Sequence, residues 1–143
     1  MTGIILALLL VPLFSALLVF SIPNTRKELF RPIGIVFSLI TFTQSMYILF
    51  SDYSKSDFQI LFRFEWIQVY GLEINLGISG MSTLLLLLSS LLVLLSLLSI
   101  GKDHSESKGF IGSILTLHFA INGVFISGDL ISLFIFFEAL LIP

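Results

Sequence analysis

Apolar residues run along this chain in long blocks separated by short polar stretches, and the blocks predict the architecture. The first block, "GIILALLLVPLFSALLVFSI", covers 3–22. As a helix it is about 30 Å long, the thickness of a membrane's hydrocarbon core. Pro12 inside it predicts a kink, which neighbouring helices tolerate in a membrane. The loop "PNTRKELFRP" follows, and Pro32 suits the first turn of a second helix over about 33–50. The polar stretch 51–79 changes period. In "FQILFRFEW", Phe58, Ile60, Phe62, Phe64 and Trp66 alternate with Gln59, Leu61, Arg63 and Glu65, and "LEINLGI" alternates again. Period two predicts a β-hairpin over about 58–78, with a turn at Tyr70-Gly71 and one apolar face. An isolated hairpin is marginal, so it must pack on something. Ser79 or Ser82 can cap a third helix over about 81–100, rich in leucine and serine, that reads as a packing or lipid-facing span. The loop "GKDHSESKG" has cancelling charges. From Phe110 onward the chain is apolar, and "SGD" at 127–129 divides it into a fourth span over 110–126 and a fifth helix over 130–143 that Asp129 can cap. The predicted fold is an all-α polytopic membrane protein, one domain over 1–143. It has four full transmembrane helices plus a partial fifth, with a β-hairpin between helices 2 and 3.

Composition narrows the function classes. Hydrophobic residues make up 57% and charged residues 11%, against about 25% charge in soluble domains. A net charge of −2 argues against nucleic acid or a polybasic lipid-binding role. The absence of cysteine excludes disulfides, zinc–thiolate sites, iron–sulfur clusters and thiol chemistry in these residues. The first block lacks an A-x-A-like cleavage site and exceeds a typical signal-peptide core, so it is expected to be a retained span. Arg26, Lys27 and Arg31 lie in the first loop and Lys102 and Lys108 in the third, with Lys55 and Arg63 opposite. The positive-inside rule then turns the first and third loops towards the cytoplasm or matrix, and the hairpin and N-terminus away from it.

Few residues could carry chemistry. Glu138 sits in "LISLFIFFEALLIP", two to three turns into the fifth helix. An acid there costs roughly 2.5–3.5 kcal/mol to insert on the scale for Asp. Desolvation raises such an acid's pKa and a nearby cation lowers it, so a balanced carboxylate can load and release a proton. The competing reading is a neutral acid that hydrogen-bonds a neighbouring helix. His118 and Asn122, four apart, share a helix face, and His118 is a weaker candidate for a proton relay. Asp129 reads as a cap and Gln44 as a packed polar group. Arg63, Glu65 and Glu73 read as a solvated face. No phosphate loop, metal-spaced cluster or nucleophile–base pair is present in the sequence. Leu130–Pro143 is about 21 Å long as a helix, short of a bilayer. A second polypeptide is therefore expected to complete or cover it.

"FISGDLISLFIFFEALLIP" resembles the fifth-helix region of NADH dehydrogenase subunit 4, an antiporter-like membrane subunit of respiratory complex I. "FEWIQVYGLEINLGISGMSTLLLLLSSLL" is similar to that family's hairpin and third helix, and "LVPLFSALLVFSIPNTRKELFRPIG" to its first helix and loop. The resemblance implies that Glu138 is a proton-translocating residue paired with a lysine on the family's seventh helix. It also implies a hairpin on the intermembrane-space side that touches a neighbouring subunit. NADH, FMN, iron–sulfur clusters and ubiquinone would be bound by other subunits and no cofactor by this chain, with phospholipid at its surface. Its partners would be other membrane subunits of complex I, in the mitochondrial inner membrane or, alternatively, a bacterial plasma membrane. Fifteen phenylalanines and the missing presequence favour the mitochondrial setting. The family motif Gly-x-Asp-Gly is replaced by Gly77-Ile78-Ser79-Gly80, where serine keeps the capping role but not the charge. The family continues through further helices, which leaves two explanations, a truncated sequence or a split subunit; the split is favoured, with a second polypeptide supplying the lysines. The alternatives are a structural or assembly subunit without pumping, and a subunit of a related cation/proton antiporter.

Overall fold

A computed structural model of the chain describes residues 2–51, 59–67, 72–100 and 107–143. They form α1 (Thr2–Ser21), a 3₁₀ turn (Asn24–Leu29), α2 (Phe30–Phe50), β1 (Gln59–Ile67), β2 (Leu72–Ile78), α3 (Gly80–Ser99), α4 (Lys108–Ile126) and α5 (Leu130–Leu140). Four of the helices are long and apolar enough to cross a membrane, and α5 is shorter. The Tyr70-Gly71 turn, Lys55 and Lys102 lie outside the described residues.

The helices α1 to α4 pack in sequence order, and α4 closes back on α1, so they form a ring; α5 lies outside it, against α4 and β2. The buried interior is layered. Near the hairpin lies an apolar cluster of Ile5, Leu8, Ile48, Leu76, Leu86 and Ile126, among others. At the opposite end lies a second, built on Val19, Phe30, Leu97, Ile111 and Leu115. Between them the buried side chains are mostly polar: Ser15, Ser38, Thr41, Ser45, Ser89, Ser90, His118 and Asn122. Small and polar residues suit this position, because helices in lipid associate by close approach and interhelical hydrogen bonds rather than by hiding from water. Most of the hydroxyls bond back to their own helices, as Ser45 does to the Thr41 carbonyl at 3.0 Å.

Helix ends follow from local chemistry. α2 starts at Phe30 rather than about 33, because Phe30 is fully buried and Pro32 still falls in the first turn, where its missing N–H costs nothing. The Arg31 guanidinium donates to the Leu97 and Leu98 carbonyls, at 3.1 and 2.6 Å, and Lys108 donates to the Ile22 carbonyl at 2.8 Å. Both cations thus cap helix C-termini, where unpaired carbonyls and the helix dipole favour positive charge. α5 stops at Leu140, not 143. Pro143 disfavours helical backbone at Ile142, and the Leu141 N–H instead closes a tighter turn on the Glu138 carbonyl at 3.1 Å.

The hairpin differs from the expected alternation. β1 and β2 pair antiparallel, but the register shifts between Ile60 and Phe62 and again between Glu65 and Ile67. A bulge turns the side chains that follow. Leu61, expected on the polar side, packs against the core beside Phe62, whereas Ile60, Phe64 and Trp66 are about half exposed. The Leu61 carbonyl accepts the Thr2 hydroxyl at 3.0 Å, which ties the start of α1 to the hairpin.

At Gly123, α4 is in tight contact with α5. A methyl group there would fall inside the ring of Phe136, which also packs edge-on against Phe119 with centroids 5.8 Å apart. Gly123→Ala should therefore push α5 outward. The expected loss is about 1 kcal/mol, the low end for overpacking, because a peripheral helix can yield. Unfolding of the reconstituted protein by SDS titration measures it, and an unchanged midpoint would show that Phe136 moves aside freely.

Candidate functional site

The carboxylate of Asp129 organises the start of α5 with both of its oxygens. Oδ1 accepts the Ser132 N–H at 2.6 Å and the Ser132 hydroxyl at 2.8 Å, and so caps the helix. Oδ2 accepts the Asn75 N–H of β2 at 2.6 Å. The Asn75 carbonyl accepts the Gly128 N–H at 2.7 Å, and Leu76 pairs antiparallel with Ser127. Residues 127–129 thus lie along the outer edge of β2 like a short third strand. Across the hairpin, Arg63 donates to the Asn75 side-chain oxygen at 3.2 Å and lies 3.3 Å from Glu73.

Partial burial pushes the Asp129 carboxyl up. The hydrogen bonds from Ser132, Asn75 and Ile131 outweigh it, and together they hold the group below the usual carboxylate range. A lowered folded pKa means that the charged form stabilises the joint. That contribution is complete above the ordinary Asp value and is lost as pH falls through the lowered one. Exchange protection of the Asn75 and Gly128 amides, corrected for intrinsic rates, should hold from neutral pH down to about pH 4 and decline below it.

Glu138 lies nine residues further along, about 13 Å down the helix axis. Among the described residues it is the one acid inside an apolar α-helix. The sequence predicts it to be buried; within this chain it is exposed. The reason is the choice of packing face. α5 touches α4 through Phe136 and buries Ser132, and the residue two positions after Phe136 points to the other side.

His118 is fully enclosed in the polar middle layer, with no partner on either ring nitrogen; Ser38 Oγ and Gln44 Oε1 are likewise buried without partners. The structure does not bring His118 and Glu138 together: one faces into the ring and the other away from it. Nor do the described residues include a cluster of three acids or histidines that could hold a metal ion.

Asn122, on the same face as His118, has a function that the sequence did not reveal. Its side-chain N–H donates to the Leu8 carbonyl at 3.3 Å, and its oxygen lies 3.4 Å from Ser89 Oγ. The Leu8 carbonyl is the one that Pro12, four residues on and without an N–H, leaves open. α4 thus repairs the break in α1, and α1 remains one continuous helix. The proline was a visible signal of an open carbonyl, but the identity of the donor depends on tertiary proximity.

No family model matches the chain. Relatives do match along nearly all of it. NADH-ubiquinone oxidoreductase chain 4 of Arabidopsis thaliana is 33% identical over 139 residues, which is 95% of this chain and 28% of the relative. F420H2 dehydrogenase subunit M of Methanosarcina mazei is 33% identical over 138 residues, again 95% of this chain and 28% of the relative. NADH-quinone oxidoreductase subunit M of Rickettsia conorii is 30% identical over 139 residues, 92% of this chain and 28% of the relative. This chain is similar along nearly all of its length to chain 4 and subunit M proteins. It spans about a quarter of the length of the relatives it matches. As a fold, the described residues form a closed ring of four helices with the Glu138 helix set against its flank.

Proposed function

We propose that this chain is part of the proton-translocating membrane module of respiratory complex I, NADH:ubiquinone oxidoreductase, and that Glu138 carries a translocated proton. The observation that carries the reading is Glu138 itself, an acid in an otherwise apolar helix, in a chain matched along its length by chain 4 and subunit M proteins. The relatives' names support a role separate from electron entry, since they give NADH in some cases and F420H2 in another. A subunit shared across different reductants serves a step common to them all. An acid on an apolar helix suits proton transfer, because a small change in its surroundings decides whether it is charged.

In this reading the exposed face of α5 is covered in the assembled complex by polypeptide that supplies a lysine to Glu138. NADH, flavin, iron–sulfur clusters and quinone are handled by other subunits. His118, enclosed and unpartnered, is a second candidate for passing protons. Arg26, Lys27, Arg31 and Lys108 lie at the end of the ring away from the hairpin. By the positive-inside rule that end faces the mitochondrial matrix, or the cytoplasm in a bacterium.

Purification of the tagged chain from its native membrane tests the assignment. The expected result is co-elution with flavin- and iron–sulfur-containing polypeptides and with quinone reductase activity. Co-elution only with polypeptides that lack both cofactors would place the chain in an ion antiporter instead.

A further inference from the structure

The two oxygens of Asp129 serve two different elements, and that division has a functional consequence. Oδ1 belongs to α5 alone: it caps the first turn through Ser132. Oδ2 belongs to the hairpin: it accepts the Asn75 N–H, whose carbonyl takes the Gly128 N–H in return. Capping a helix needs only one acceptor. Serine, threonine or asparagine would serve, as Ser79 and Ser107 do at α3 and α4. A carboxylate is needed only where a second acceptor must reach outward at the same time.

The rest of α5 lies against α4 and β2 but is only partly covered by this chain. Ser132 is its one buried residue, and Phe136 packs against the core cluster, edge-on to Phe119 and over Gly123. The hairpin, by contrast, is fixed to the ring, with Leu76 and Ile78 buried in the core and Leu61 bonded to Thr2. We infer that Asp129 is a positioning residue that clamps α5 to the hairpin and so sets the placement of Glu138. This rests on the reading of Glu138 as the proton-bearing group. A clamp at the first turn acts along the whole helix, because an α-helix is stiff over the roughly 13 Å between the two residues.

The two roles of Asp129 are separable by substitution. Asp129→Ser retains a capping oxygen but is too short to reach Asn75. If capping were the whole role, that variant would behave as the parent. The clamp itself is read by a disulfide between Leu76→Cys and Ser127→Cys, which face each other across the antiparallel bridge. Facing pairs of this kind lie close to disulfide range, and the chain has no cysteine of its own.

The experiment uses the membrane-embedded complex carrying the double-cysteine chain, with and without Asp129→Ser. Cross-linking under mild oxidant should slow by roughly tenfold in the serine variant, the scale expected on losing a hydrogen bond to a charged group. Proton translocation should fall in the reduced serine variant and recover when the disulfide forms and replaces the clamp. Unchanged cross-linking in the serine variant would overturn the clamp. Slowed cross-linking with undiminished translocation would overturn its role in placing Glu138. Glu138→Gln, measured alongside, separates the readings. If it pumps normally, the proton role of Glu138 fails, while the cross-linking result still decides the clamp.

Discussion

Glu138→Gln in the assembled complex should abolish proton translocation through this module while leaving the subunit in place. Glutamine matches glutamate in shape and can fill the same site between helices, but it cannot take up or release a proton near neutral pH. Loss of a positioned proton-transfer group typically costs a hundredfold or more, so a fall of at least about 10² in the proton flux through this site is expected. Reconstituted proteoliposomes that drive lumen acidification by quinone reduction provide the measurement. Assembly should be preserved, because α5 is attached through Asp129, Ser132 and Phe136 and not through Glu138. Normal assembly with undiminished pumping would make Glu138 a structural acid.

Asn122→Leu should destabilise the ring by about 1–2 kcal/mol, the upper range for intramembrane hydrogen bonds. The expectation is high within that range because Pro12 brings no N–H to the carbonyl left behind. The sharper form of the prediction is a cycle. Pro12→Ala restores an N–H to the Leu8 carbonyl from within α1, so the Asn122 amide becomes dispensable there. In the Pro12→Ala background, Asn122→Leu should cost about 1 kcal/mol less than in the parent, within the usual range of coupling between residues that share a partner. SDS titration of the reconstituted chain and its three variants gives all four corners. Equal costs in both backgrounds would mean that Asn122 acts through Ser89 or through packing, and not as the substitute donor for Pro12.

The long apolar blocks made the four spanning helices legible, because a bilayer requires uninterrupted apolar length and the polar loops cannot enter it. The caps were legible for the same kind of local reason: Ser79 and Asp129 stand immediately before apolar runs. What escaped depends on three-dimensional neighbours. The hairpin's period was plain, but around the bulge Leu61 joins Phe62 against the core, and Ile60, Phe64 and Trp66 of the expected buried row are half exposed. The serines of α3 looked incidental in a leucine helix, yet Ser89 and Ser90 lie in a polar layer shared with α1, α2 and α4. Glu138 stood out as a candidate from its residue type in an apolar helix. Its direction could not be read, since it depends on α5 packing through Phe136, whose partner Gly123 lies in a different helix. Asp129 was legible as a cap but not as a clamp, because nothing in the sequence places Asn75 beside it.

The central claim is that the Glu138 carboxylate, exposed on this chain, faces a cation in the working complex and not lipid. The structure of the assembled complex, resolved at side-chain level around α5, tests that claim most directly. The account predicts a lysine ammonium from a segment outside these 143 residues, within about 4–6 Å of the carboxylate, the range over which an opposite charge favours ionisation. A Glu138 side chain surrounded by acyl chains alone would contradict it.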